Sequence, residues 1–115
     1  MPATTNIRYV DPGITVVEFS GRLHTGTNLS TIEDALMKMI RTDGVRKLVL
    51  DLASLERIDS AAIGVLVMTV GEMGKQGGQV RLCGAKGMVA DSFEIVHMAR
   101  IAPVDANVSD SVGSL

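Results

Sequence analysis

"KLVLDLASLERIDSAAIGVLV", residues 47–67, holds three readings in one stretch. After Lys47 comes a short, continuous apolar run closed by Asp51, the pattern of a strand covered on both faces, as in a parallel sheet. The next residues, "ASLERID" (53–59), read as a loop. From Ser60 the chain is apolar and small, which predicts a helix over Ser60–Gln76 that stops before Gly77-Gly78. Strand, loop and helix in this order make half of a β-α-β unit.

Working outward, "NIRYV" and "ITVVEFSG" are rich in β-branched residues and are joined by Asp11-Pro12-Gly13, so they read as an antiparallel opening hairpin. "GRLHTGTN" breaks the pattern. Leu29, Ile32, Leu36 and Ile40 recur at helical spacing, with Glu33 and Asp34 near the start and Lys38 and Arg41 near the end, charge positions that suit a helix dipole; Asn28 or Ser30 can cap this helix and Gly44 ends it. "QVRLCG" is the next strand, "MVADSFEIVHM" a further helix, "IAPV" a last short strand, and a C-terminal helix falls over 108–114. Alternating strands and helices predict one α/β domain over 1–115, its core spanning about 8–104. The sheet is expected to be mixed but mostly parallel, with right-handed crossovers, an antiparallel N-terminal hairpin strand and helices packed against it.

Composition narrows the function classes. With 115 residues, 46% of them hydrophobic, the chain can fill one core without disulfides or metals. The formal net charge of −2 gives no basic field for nucleic acid or an anionic membrane. The single cysteine, Cys83, sits in an apolar strand and suits a reducing compartment. The first residues lack a basic-then-apolar leader and no apolar run is long enough to span a bilayer, so the expectation is a soluble, cytoplasmic protein. Aromatics are only 3% of residues, and seven methionines partly take their place; Met37, Met39, Met68 and Met73 fall in predicted helices, where a Met-rich surface can be an adaptable binding face although Met more often fills gaps in a core. Met68 and Val65 are expected inside the helix that starts at Ser60.

Signatures of catalysis are missing. His24, His97 and Cys83 are far apart, which argues against a metal site. Gly84 and Gly87 flank Lys86, but the spacing of a phosphate-binding loop is not met. Ser60 has no G-x-S-x-G context. An enzyme is not expected, nor is a cofactor. What remains is the Asp59-Ser60 seam. At its simplest it is a helix cap, Asp59 or Ser60 accepting a backbone N–H of the first turn. The alternative is a switch: a hydroxyl at a helix amino end can be phosphorylated, and the dianion meets free N–H groups and a favourable dipole, while the like charge of Asp59 opposes it and makes the modified surface sharply different.

The ordered set of these pieces resembles the STAS domain family, specifically the small bacterial anti-sigma factor antagonists. It comprises an opening hairpin, "SGRLHTGT", "LVLDLASL", Asp59-Ser60-Ala61-Ala62-Ile63-Gly64 and "GGQVRLCG", from about Arg8 to about Val104. The resemblance implies partner switching. An unphosphorylated antagonist binds an anti-sigma factor that is also a serine kinase and so frees a sigma factor; phosphorylation dissolves the complex and a serine phosphatase resets it. Carried over, Ser60 is the phosphoacceptor, and Asp59, Ala61, Ala62, Gly64, His24, Thr25 and Thr27 join it in the partner-binding surface, with the Gly84–Gly87 loop on the same face. His24 departs from the pattern, since family members often carry Asp there; a carboxylate has become an imidazole, which can be neutral or cationic. Two other roles stay open: an unswitched STAS scaffold that self-associates or sits in a larger signalling complex, and a ligand-sensing module.

Overall fold

The computed structural model describes residues 2–26 and 28–115. A five-stranded sheet runs in sequence order, β1 (Thr4–Val10), β2 (Ile14–Leu23), β3 (Lys47–Ile58), β4 (Gln79–Cys83) and β5 (Val104–Asp105). The β1–β2 hairpin is antiparallel and every later pairing is parallel, as the alternation of elements predicts. Helices α1 (Leu29–Arg41), α2 (Ser60–Lys75) and α3 (Gly87–Ile95) fill the crossovers, a 3-10 turn spans Met98–Arg100, and α4 (Val108–Gly113) follows β5.

The two sheet faces have separate cores, which explains the unbroken apolar run in β3. Leu48, Leu50 and Leu52 point to the main core with Val17, Phe19, Leu36, Ile40, Leu66, Met73 and Leu82. Val49 points the other way, to a smaller cluster with Ile14, Val16 and Cys83 that Val108, Val112 and Leu115 cover. Polar chemistry fixes α4 in that position. Arg81 makes paired bonds to Asp105 (Nε–Oδ2 2.8 Å, Nη2–Oδ1 3.0 Å), and the buried Ser111 hydroxyl donates to the same carboxylate at 2.7 Å. Hydrogen bonding from Arg81 holds the Asp105 carboxyl below its ordinary range, with burial opposing and Ser111 assisting.

Three local readings are corrected. "ASLERI" is strand, not loop: β3 continues to Ile58, beyond β4, whose last residue, Cys83, pairs with Asp51. This extension pairs with β2 alone, Ser54 with Ser20 and Ile58 with Leu23, through two register shifts. The shifts place extra residues on β3, so burial falls on Leu52, Leu55 and Ile58 instead of alternating. Asp51 Oδ1 accepts from Ala53 N at 3.1 Å where the first shift begins. Similarly, "GRL", which reads as the start of the break after the second strand, is the end of β2. Gly21 is required there: its φ is +85°, and a Cβ would lie 2.6 Å from the Pro2 carbonyl oxygen.

The third correction is Met68, which is 53% exposed, whereas Val65 is buried as expected. The inner face of α2 is Ala62, Val65, Leu66, Thr69 and Met73, and at 100° per residue Met68 falls outside that arc. Met37, Met39 and Met73 do fill the core.

Candidate functional site

The carboxyl ends of β2 and β3 meet where Leu23 pairs with Ile58, and the chain leaves from there into the 24–28 loop and into α2. Asp59 joins the two exits. Its N–H donates to Leu23 O at 3.3 Å, and its carbonyl accepts from Ile63 N at 3.0 Å. Its side chain divides between two elements: Oδ1 accepts from Ala62 N at 2.9 Å and Oδ2 from Thr25 N at 2.9 Å. Of the two candidate caps, Asp59 is therefore the one that caps α2, with extended backbone, and the same carboxylate ties down the loop from β2. Burial pushes this carboxyl up, but the Thr25 and Ala62 N–H groups outweigh it, with the Thr25 side chain and His24 adding to them; the net shift is downward. Asp59 is an anion at neutral pH.

Because Asp59 takes the cap, Ser60 is the first residue of the helix proper, and it is exposed. Its hydroxyl makes no hydrogen bond to another described residue. Ala61 and Gly64 are exposed on the same side. Ala62 is not: it is 0% exposed and packs in the main core, so it serves the cap through its N–H and offers a partner nothing. A Cβ on Gly64 would meet nothing within 4 Å, so this glycine leaves a bare helix surface instead of a close helix contact. His24 is half-buried beside the site, its Nδ1 2.9 Å from the Thr25 carbonyl oxygen, and Thr25 is exposed. Thr27 lies outside the described residues.

The Gly84–Gly87 loop does not reach this level of the fold. β4 ends opposite Asp51, and Gly84, at φ +76°, lies so close to the Ala53 backbone that a Cβ would be 2.9 Å from its nitrogen. Lys86, Gly87 and Met88 border a shallow cleft with Ala53–Glu56, along the side of the β3 extension. A feature that pattern reading missed takes its place. Ala61, Gly64, Met68 and Gly71 are all exposed and follow one another at three and four residues, so an uncharged stripe runs from Ser60 along the outer face of α2. The spacing was visible in the sequence, but only the burial of the opposite face shows which side it is on. Met68 borders a groove against Glu33, Met37 and Arg41 of α1.

Among the described residues no group of three or more His, Cys, Asp or Glu is placed to hold a metal ion, and no helix is long and apolar enough to cross a membrane. The arrangement can present a hydroxyl beside a fixed carboxylate, at a helix amino end, on a smooth surface.

A family model described as the STAS domain matches residues 7–111. The chain is also similar to solved structures, each at low identity. One is a Thermotoga maritima protein (TM-score 0.88, 20% identity, 96% of this chain and 92% of that one). An anti-sigma factor antagonist from Mycobacterium paratuberculosis gives a TM-score of 0.85 at 21% identity, covering 97% and 92%. The Bacillus cell fate determinant SpoIIAA in its phosphorylated form gives 0.76 at 15%, covering 96% and 98%.

Proposed function

Because the chain belongs to the STAS domain family, we propose that it is an anti-sigma factor antagonist whose Ser60 is a phosphorylation switch. Unphosphorylated, it binds an anti-sigma factor with serine kinase activity and so frees a sigma factor for transcription; a serine phosphatase restores the binding form. The kinase brings the ATP, so the chain needs no cofactor and no catalytic group. The reading is of a soluble, cytoplasmic bacterial regulator.

One observation carries the proposal: Ser60 is exposed as the first helical residue immediately after a cap that already uses Asp59. A structural hydroxyl would take the cap itself. Here the hydroxyl is left to solvent while the neighbouring carboxylate holds the His24–Thr25 loop. Similarity to SpoIIAA, a protein of this fold solved in a phosphorylated form, fits a reading in which phosphate is the switch. The partner surface is Asp59, Ser60, Ala61 and Gly64 of the α2 turn, His24, Thr25 and Thr27 of the loop, and the stripe continuing to Met68.

Physically the switch is electrostatic. Phosphate adds about −1.5 to −2 charges beside the anionic Asp59. Free N–H groups in the first turn of α2 stabilise part of that charge within the chain. A partner packed against a neutral hydroxyl and an uncharged helix face would have to desolvate the rest. Affinity falls while the fold is retained.

The experiment is to incubate the chain with a candidate anti-sigma factor kinase and ATP, locate any phosphate by mass spectrometry, and measure partner affinity before and after. Expected results are phosphate on Ser60, binding retained by Ser60→Ala, and partial loss in Ser60→Asp. An unswitched scaffold would tolerate both substitutions alike. Phosphate on Thr25 or Thr27 with Ser60 untouched, or phospho-Ser60 with unchanged affinity, overturns the mechanism.

A further inference from the structure

The outer edge of β1 is an unprotected strand edge. Thr4–Val10 is seven residues long, and every residue before Val10 is exposed. It pairs with β2 in one unbroken register from Thr4–Ser20 to Val10–Ile14, with no bulge to twist the edge away. It contains no proline, lysine or glycine. The opposite edge of the sheet is guarded by brevity, since β5 has only two residues.

The two faces of β1 differ in a way that names what should lie beside it. Thr5, Ile7 and Tyr9 pair with Phe19, Val17 and Thr15 and so share the face of the main core. The helices do not extend over them: Ile7 is 40% and Tyr9 79% exposed. On the other face Arg8 is the only charge in the strand, 3.6 Å from Glu18, and the Asn6 amide donates to the same Glu18 oxygen at 3.3 Å.

We propose that β1 is the interface of a two-fold dimer, pairing antiparallel with β1 of a second copy in a register centred on Ile7, so that the two sheets become one of ten strands. In this register Ile7 faces Ile7 and Tyr9 faces Thr5 of the other copy, so each exposed Ile7 is covered by its own kind and each Tyr9 ring by a β-branched Thr5. Arg8 faces Asn6 of the second copy, the residue that holds Glu18 there. Each arginine thus lies between two glutamates, and the two pairs form a quartet with no net charge. Self-complementarity of this kind is what an isologous contact requires. Ile7 pairs with Val17, six residues before Leu23, about 20 Å along the strand from the Asp59 turn. The dimer is independent of the Ser60 switch, and Ser60→Ala should dimerise like the parent.

Sedimentation velocity of the full chain from roughly 5 to 500 µM should show a concentration-dependent doubling of mass, as suits a small, weak interface. Ile7→Lys should keep the single mass throughout while its circular dichroism and melting stay those of the parent. The register is read by cysteine scanning, because native Cys83 is buried and will not compete. Oxidised Ile7→Cys should cross-link to itself, Tyr9→Cys should not, and a mixture of Thr5→Cys and Tyr9→Cys chains should cross-link. A single mass at every concentration leaves the edge to some other strand and overturns the proposal. So does a dimer indifferent to Ile7→Lys, or Tyr9→Cys cross-linking to itself as readily as Ile7→Cys.

Discussion

Replacing Asp59 tests the geometry on which the site depends. Asp59→Ala removes the acceptor of Ala62 N and the acceptor of Thr25 N together. Loss of an N-cap typically costs about 1 kcal/mol. The second bond ends on a charged but partly exposed oxygen, where water can replace it, so about 1 kcal/mol is again appropriate. The sum is about 2 kcal/mol. An unfolding entropy of about 2.1 cal/mol/K per residue over 115 residues is about 240 cal/mol/K. The melting temperature should therefore fall by about 8 °C. Asp59→Asn keeps a good cap but loses the charge, and should lose about half as much. The assay is urea unfolding followed by circular dichroism at several pH values. Since the folded pKa of Asp59 is depressed, its contribution is complete above the unfolded value of about 3.9 and is lost as pH falls through the folded value. The gap between parent and Asp59→Asn should accordingly be full at pH 7 and close as the pH is lowered through the acid range. A loss below about 0.5 kcal/mol in Asp59→Ala, or a gap that does not change with pH, would refute the two-bond role.

Other expectations concern packing. Met68→Ala should change stability by less than about 0.5 kcal/mol, since the side chain is mostly exposed, while Leu66→Ala in the same helix should cost about 2–5 kcal/mol; denaturant titration of both distinguishes an outer from an inner position. If the α2 stripe meets the partner, Met68→Ala should also weaken partner binding measured by calorimetry. Burial pushes the Cys83 thiol up to about 11, and α4 covers it, so it should react slowly with a disulfide reagent at pH 8. Asp105→Ala frees both Arg81 and Ser111 and should raise that rate at least about tenfold as α4 detaches; an unchanged rate would mean that apolar contacts alone hold the helix.

The fold was legible in the sequence wherever short-range chemistry sets it. Pro12-Gly13 turns the hairpin, the β-branched runs make β1 and β2, and the Leu29–Ile40 spacing makes α1. The two-sided apolar run of Lys47–Leu52 makes a strand covered on both faces, and Asp59-Ser60 marks where α2 begins. These depend on residues a few positions apart, so a local pattern contains them. What only the tertiary structure decided depends on partners remote in the chain. Ala53–Ile58 has no strand alternation of its own because two register shifts against β2 reset which residues face inward. Asp59 caps in preference to Ser60 because Thr25, brought up by the end of β2, takes its second oxygen. Ala62 is buried and Met68 exposed because the rotation of α2 is set by the sheet and α1 beneath it, and an almost uniformly apolar helix does not encode that rotation in its own sequence.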